Sequence, residues 1–103
     1  MAVLVQMNFA HHGPWGSEMS DGFRELASTI NDEPGFLWKV WIEDQPGELS
    51  GGIYVFDSRQ HAEAYVAMHR ERMAGFGVTA IEVHFFDVNE PLSILNRATL
   101  AGC

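Results

Sequence analysis

Residues 33–41 read Glu-Pro-Gly-Phe-Leu-Trp-Lys-Val-Trp, a turn signal followed directly by a strand signal. Pro34 and Gly35 break helices and favour turns, whereas the large apolar residues after them favour a β-strand. Alternate side chains of a strand point to opposite faces of its sheet. The two predicted sets are Phe36, Trp38, Val40 and Ile42 on one face, and Leu37, Lys39, Trp41 and Glu43 on the other. Because both sets carry large apolar groups, we expect both faces of this strand to be covered.

The segments around this strand predict the element order strand, helix, strand, strand, helix, strand. Ser17 and Ser58 are the expected N-caps of the two helices. The expected elements are strands over residues 2–9, 36–43, 51–56 and 78–88 and helices over residues 17–33 and 58–75. This order is typical of an α+β ferredoxin-like βαββαβ sandwich, in which both helices lie on one face of an antiparallel sheet.

The second face of the predicted sheet has no obvious cover within the chain. The strands over residues 36–43 and 51–56 are apolar on both sides, and no remaining segment is long enough to hide them. We therefore predict a homodimer in which two copies pack sheet against sheet; the alternative is a monomer with an apolar open face. The tail, residues 88–103, is too apolar to be free, and we expect it to pack on its own domain or on the partner.

The length and charge of the chain restrict its class and its partners. Its 103 residues suit a single domain, and a formal charge of −8 with only six Lys and Arg offers no basic patch for nucleic acid or for an anionic membrane. No apolar run approaches the ~20 residues of a membrane span, and the N-terminus lacks the basic start of a signal peptide. The single cysteine, Cys103, cannot form an internal disulfide, which fits a reducing compartment.

Sequence motifs for the common kinds of catalysis are missing. The chain contains no Gly-x-Gly-x-x-Gly, no phosphate-binding loop, no Cys-x-x-Cys and no Gly-x-Ser-x-Gly. Its five histidines are not spaced as metal ligands, since His11 and His12 are adjacent while His61 and His69 are eight residues apart. We therefore predict no metal site.

His69 is the strongest candidate for a chemical role. It lies within the apolar stripe of the second predicted helix and should face the sheet, where a ligand cavity would lie. There it can act as a general base or hydrogen-bond donor, or it can be a core histidine bonded to a backbone carbonyl or a tyrosine. The other candidate pocket residues are Asn8, Trp38, Tyr54 and Tyr65. Aromatic walls suit a flat apolar ligand, although they suit ordinary core packing as well.

Several stretches resemble the YdhR family, which is classed with the antibiotic-biosynthesis monooxygenases on the basis of its fold. The most specific are Pro-Gly-Phe-Leu-Trp-Lys and Asp-Val-Asn-Glu-Pro-Leu-Ser. The resembling stretches are Asn-Phe-Ala at 8–10, Gly-Pro at 13–14, Ile-Asn-Asp-Glu-Pro-Gly-Phe-Leu-Trp-Lys-Val-Trp at 30–41, Gly-Gly-Ile-Tyr-Val-Phe at 51–56 and Phe-Asp-Val-Asn-Glu-Pro-Leu-Ser at 86–93. The resemblance covers nearly the whole chain.

This resemblance implies a dimeric α+β barrel, a cytoplasmic location and a monooxygenase that uses no flavin, haem or metal. In such enzymes the deprotonated aromatic substrate itself supplies electrons to oxygen, while the protein binds it, favours its anion and excludes water. Haem-degrading members of the superfamily use an asparagine, a tryptophan and a histidine, which match Asn8 and His69 here, but Phe56 stands where the tryptophan would be. The first hypothesis is thus a cofactor-independent monooxygenase of a small aromatic substrate, the second a non-enzymatic binding or stress-related module, and the third haem binding.

Overall fold

The predicted order of strands and helices is confirmed. A computed structural model describes residues 1–100 of the chain, and Cys103 lies outside them. The elements are β1 (Val3–Ala10), α1 (Gly16–Ile30), β2 (Phe36–Asp44), β3 (Leu49–Phe56), α2 (Arg59–Gly75), β4 (Ile81–Asp87) and a short α3 (Glu90–Leu95). The third helix is the only element of the described residues that the sequence pattern did not predict.

The four strands form one antiparallel sheet in the order β2-β3-β1-β4. The protein therefore has the ferredoxin-like α+β fold. The main core lies between this sheet and α2, which begins at the predicted cap because the Ser58 hydroxyl accepts a hydrogen bond from the His61 N–H at 3.2 Å. The core residues are Val3, Val5, Met7, Tyr54, Phe56, Ala62, Tyr65 and Val66. His69 and Met73 continue the buried face of α2 as predicted.

An irregularity in β2 changes which of its side chains share a face. The register with β3 shifts between Phe36 and Trp38, as at a β-bulge. Phe36 therefore packs against the core beneath α2, whereas Trp38 packs against residues on the opposite face of the sheet. The prediction that these two side chains point the same way is wrong, because an extra residue reverses the alternation. Beyond the bulge, Lys39 and Trp41 lie on the helix-covered face.

Helix α1 begins one residue before the predicted cap and is not capped by Ser17. Its N-cap is Trp15, whose side chain makes no capping hydrogen bond. Instead, the backbone N–H of Gly16 donates to Oε1 of Glu43 at 2.8 Å. A carboxylate stabilises the positive end of a helix, so a residue of β2, distant in sequence, supplies the stabilisation expected from the local cap.

The tail covers one end of the second sheet face. Leu100 is buried there against Ala2 and Val55, and the Trp38 indole N–H donates to the Thr99 carbonyl at 2.6 Å. Up to Leu100 the tail therefore packs on its own domain, which is one of the two predicted alternatives. The rest of this face stays open, and the side chains of Val40 and Phe86 are 48% and 52% exposed.

Candidate active site

A cavity of about 230 Å³ lies between the sheet and the two long helices. Its walls are mainly apolar: Met19 and Phe23 of α1, Trp41 of β2 and Met73 of α2 are among the lining residues. An apolar cavity of about 150 Å³ holds one benzene molecule, so this volume suits one or two fused aromatic rings.

Gly52 keeps the floor of this cavity open. A Cβ atom at Gly52 would lie 2.6 Å from Cε of Lys39 and 2.9 Å from a ring carbon of Tyr54. Both distances are shorter than van der Waals contact. The missing side chain on β3 therefore lets the lysine of β2 lie flat across the sheet and extend toward the tyrosine.

A polar cluster of aromatic side chains and one arginine lies at the α2 side of the cavity. The rings of Tyr65 and His69 stack with centroids 5.2 Å apart, and the rings of Tyr54 and Tyr65 lie 5.1 Å apart. Arg72 holds this cluster from the next turn of α2. Its Nη2 contacts Nδ1 of His69 at 2.9 Å and the Tyr65 hydroxyl at 3.3 Å, and its Nε donates to the same Nδ1 at 3.2 Å.

His69 is a neutral imidazole at physiological pH. Burial is the main reason that its pKa falls to about 4, and the positive charges of Arg72 and Lys39 lower it further. A guanidinium can only donate hydrogen bonds, so Nδ1 of His69 must be an acceptor. The single proton of the neutral ring therefore lies on Nε2, and this histidine offers its surroundings an N–H donor.

The two tyrosines of the cluster remain protonated. Burial raises the pKa of Tyr54, and the neighbouring Tyr65 raises it further. Burial also raises the pKa of Tyr65, although its hydrogen bond with Tyr54 opposes that effect. Both groups are therefore neutral phenols that can donate or accept hydrogen bonds.

Lys39 contributes a primary amine to the cavity wall. Its Nζ lies 3.4 Å from the centroid of the Trp41 ring and 4.5 Å from that of Tyr54. Within the described part of the chain, no carboxylate oxygen lies within ion-pair distance of this amine. Burial, and secondarily the charge of Arg72, lowers the pKa of Lys39 to about 7.

The structure brings together three of the five predicted site residues. His69, Tyr54 and Tyr65 form the cluster described above. Asn8 lies on the other face of the sheet, since it alternates with the buried Met7 of β1, and Trp38 packs there beside the tail. The five residues therefore do not form one site, and Asn8 and His69 cannot contact a single ligand within one chain.

Sequence reasoning missed Lys39 and Arg72. A sequence signal existed for each of them. Lys39 is the sole lysine and interrupts an otherwise apolar strand, and Arg72 follows Tyr65 and His69 at positions i+7 and i+3 on one helix. Residues with that spacing lie on one helical face.

Residues 1–100 offer neither a candidate metal site nor a candidate membrane-spanning helix. They contain no group of three His, Cys, Asp or Glu side chains that could hold a metal ion. None of their helices is both long and apolar enough to span a membrane.

Comparison with known protein families assigns the chain to one of them. Residues 4–99 match the model of the family described as "Putative mono-oxygenase ydhR". The chain belongs to this family. No curated protein sequence matches it significantly. The assignment thus covers all of the sheet except Val3, both long helices and α3, and it includes every residue of the cavity.

Solved structures with the same fold include two of SnoaB, a cofactor-independent oxygenase from Streptomyces nogalater. A mutant form superimposes with a TM-score of 0.61 at 18% identity, covering 97% of each chain. A second SnoaB structure gives a TM-score of 0.58 at 16% identity, covering 97% of this chain and 96% of that one. An antibiotic biosynthesis monooxygenase candidate from Deinococcus radiodurans gives 0.55 at 14% identity, covering 86% of this chain and 93% of that one. At these identities the likeness establishes the fold.

Proposed function

We propose that this YdhR-family protein is a cofactor-independent monooxygenase that acts on a hydroxyarene of one or two rings. The observation that carries the proposal is the cavity itself, whose aromatic walls end at the Lys39 amine and a neutral imidazole N–H. An oxyanion on the substrate would be stabilised by these groups, because a water-poor cavity strengthens their electrostatic interaction with it.

The reaction needs no external reductant. A bound phenolate donates an electron to dioxygen, and the resulting pair recombines at an activated ring carbon. One oxygen atom remains on the substrate and the other leaves as water, since the substrate supplies the electrons. For 1-naphthol the balance is one naphthol and one dioxygen giving one 1,4-naphthoquinone and one water. The protein binds the ring, favours the anion and shields it from bulk water.

Oxygen consumption by the purified, metal-free protein with 1-naphthol and related hydroxyarenes tests this activity. We expect uptake above the buffer rate, with quinone formed in step, and loss of uptake in a folded His69→Ala variant. His12→Ala is the matched control, because that histidine is exposed in the loop after β1. Uptake by a folded His69→Ala variant at the normal rate would remove His69 from the mechanism, and no uptake with any hydroxyarene would reject the oxygenase.

The second candidate is a module that binds a small apolar molecule without turnover. The same cavity supports it, since its walls need no reaction to hold an aromatic ring. Ligand binding measured by tryptophan fluorescence, together with absence of oxygen uptake, would favour this function. Haem titration, followed by absorbance, tests the third hypothesis. Its expected residues Asn8 and His69 lie on opposite faces, so we expect no specific haem binding.

We also propose that the open sheet face is the interface of a homodimer. Supporting this proposal, apolar side chains that include Val40, Ile53 and Phe86 remain partly or largely exposed beyond the tail. Sedimentation equilibrium should give a dimer for the native chain and a monomer for Val40→Glu. A monomeric native chain would contradict the proposal. The cytoplasmic location remains a prediction from the resemblance, to be tested by fractionation.

A further inference from the structure

His69 has no free lone pair with which to accept a proton. The guanidinium of Arg72 occupies Nδ1 through two of its nitrogens, at 2.9 and 3.2 Å. The remaining nitrogen, Nε2, carries the proton of the neutral ring. A phenol hydroxyl in the cavity would therefore meet an N–H donor on His69. Such a donor stabilises an oxyanion after it has formed, but it does not take the proton away.

The other groups around the cavity reduce the choice of proton acceptor. Its lining within the described residues includes no aspartate or glutamate, and the Tyr54 hydroxyl remains protonated. His11 also lines the cavity, but it lies in the loop after β1, where its Nε2 is 2.8 Å from the Pro14 carbonyl and its ring packs against Trp15. It makes no contact with the Tyr54–Tyr65–His69 cluster.

Lys39 is placed where that acceptor is needed. Its Nζ lies between the rings of Trp41 and Tyr54, on the cavity wall that also carries His69. The groups facing it are Arg72 and His69 from α2, the phenol of Tyr54 from β3 and apolar side chains from α1. None of them is an anion. The amine therefore has no counter-charge, and both its burial and the positive charge of Arg72 favour its neutral form.

We propose that Lys39 is the proton acceptor of the cavity, taking the hydroxyl proton of a bound hydroxyarene and retaining the resulting oxyanion beside its ammonium group. The O–H bond of the ligand breaks, an N–H bond forms, and the electron pair stays on the ligand oxygen. No oxidant takes part in this step. The substrate class in this assignment rests on the proposed function. The assignment predicts that the cavity binds arenes with a free hydroxyl more tightly than their methyl ethers.

Because Lys39 is the sole lysine, its protonation can be followed directly. Protein labelled with ¹³C-lysine gives one side-chain Cε signal, whose shift with pH reports the ionisation of this amine. We expect a midpoint near pH 7, which moves upward when 2-naphthol binds, because the oxyanion stabilises the ammonium. An ordinary lysine midpoint near 10.4, unchanged by ligand, would overturn the proposal.

Calorimetry under nitrogen measures where the proton of 2-naphthol goes. The pKa of 2-naphthol is close to that of an ordinary phenol. Its anion, the naphtholate, absorbs at longer wavelength than tryptophan and can be followed in the presence of the protein. At about pH 8.5, where most Lys39 amines are neutral and most free naphthol still carries its proton, the native protein should bind it as naphtholate with almost no proton released to the buffer, because Lys39 keeps that proton. The methyl ether of 2-naphthol should bind roughly tenfold to a hundredfold more weakly, since it forms no charged hydrogen bond.

Two variants separate proton transfer from mere attraction of an anion. Lys39→Met should lose the naphtholate absorbance and bind roughly tenfold to a hundredfold more weakly. Lys39→Arg keeps a permanent positive charge, so it should still bind naphtholate but release about one proton per ligand. His12→Gln, at an exposed histidine outside the cavity, should behave like the native protein. Loss of naphtholate only in His11→Gln, or failure of the native protein to bind 2-naphthol as naphtholate, would overturn the assignment to Lys39.

Oxygen uptake tests the monooxygenase separately from the test of proton transfer to Lys39. Naphtholate formation that depends on Lys39, without oxygen uptake by 1-naphthol or any other hydroxyarene, would reject the monooxygenase and keep the proton acceptor. Oxygen uptake that persists at the native rate in a folded Lys39→Met variant would keep the oxygenase and reject the lysine.

Discussion

Replacing Arg72 with methionine should raise the pKa of His69 and release its ring from a single tautomer. In the native chain the guanidinium donates to Nδ1 at 2.9 Å and stabilises the neutral ring. Methionine removes this donor and its charge while retaining an apolar side chain of similar length. The perturbation therefore acts on the proton equilibrium with little change in the packing of α2.

The size of the effect follows from the hydrogen bond. A hydrogen bond that involves a charged group contributes about 1.5–3 kcal/mol, and one pKa unit corresponds to about 1.4 kcal/mol. Losing it should raise the pKa of His69 by about one to two units. The value starts at about 4 in the native chain and should stay below the ordinary 6.5, because burial is the largest cause of the shift and remains in the variant.

Nitrogen-15 NMR of the histidine rings measures both quantities in one titration. The native spectrum should show a protonated Nε2 and an unprotonated Nδ1 for His69, and the Arg72→Met spectrum should show a higher midpoint. Arg70→Met is the matched control, because Arg70 is exposed on the same helix, and it should leave the His69 signals unchanged. A native ring protonated on Nδ1, or an Arg72→Met variant with an unchanged or lower pKa, would refute the reasoning about the tautomer.

Three further predictions concern stability. The pKa of His69 is 6.5 in the unfolded chain and about 4 in the folded chain, so its contribution to the free energy of unfolding is fully present above pH 6.5. That contribution falls by about 3 kcal/mol as the pH drops to 4. Urea unfolding at several pH values should show this loss, and His69→Gln should reduce it. Gly51→Ala should cost about 3 kcal/mol or more in the same assay, because its Cβ overlaps a main-chain carbonyl of β1, whereas Gly22→Ala, which points its methyl into open space within α1, should be neutral or stabilising. Trp38→Phe removes the hydrogen bond to Thr99, so amide exchange in the tail should become faster while exchange in β1 stays unchanged.

Periodicity in the sequence predicted an element most securely where one of its faces is buried. Helix α2 shows this most clearly, since Ala62, Tyr65, Val66, His69 and Met73 are both its predicted stripe and its buried residues. The direction of the β2 side chains was not predictable in the same way. A bulge depends on how two strands pair, and no residue at Leu37 or Trp38 signals one.

The candidate site was predictable where its residues are apolar or aromatic and unpredictable where they are basic. Tyr54, Tyr65 and His69 were found because their positions fall on buried faces. Lys39 and Arg72 have side chains that usually extend into water, so residue type suggested solvent-exposed positions for both. Their placement depends on tertiary contacts, namely the gap above Gly52 for the lysine and the His69–Tyr65 pair for the arginine.

The missing counter-charge at Lys39 is the strongest sign that the cavity is built for a ligand. The chain has fourteen acidic residues against six basic ones, so carboxylates are in excess. In the described residues outside α1, three basic side chains form ion pairs, and each of them uses one carboxylate. They are His12, Arg59 and His61. The sole lysine nevertheless faces the Arg72 guanidinium, two aromatic rings and the cavity. Burying an amine without a partner costs stability, and an acidic hydroxyl supplied by the ligand would offset that cost only while it is bound.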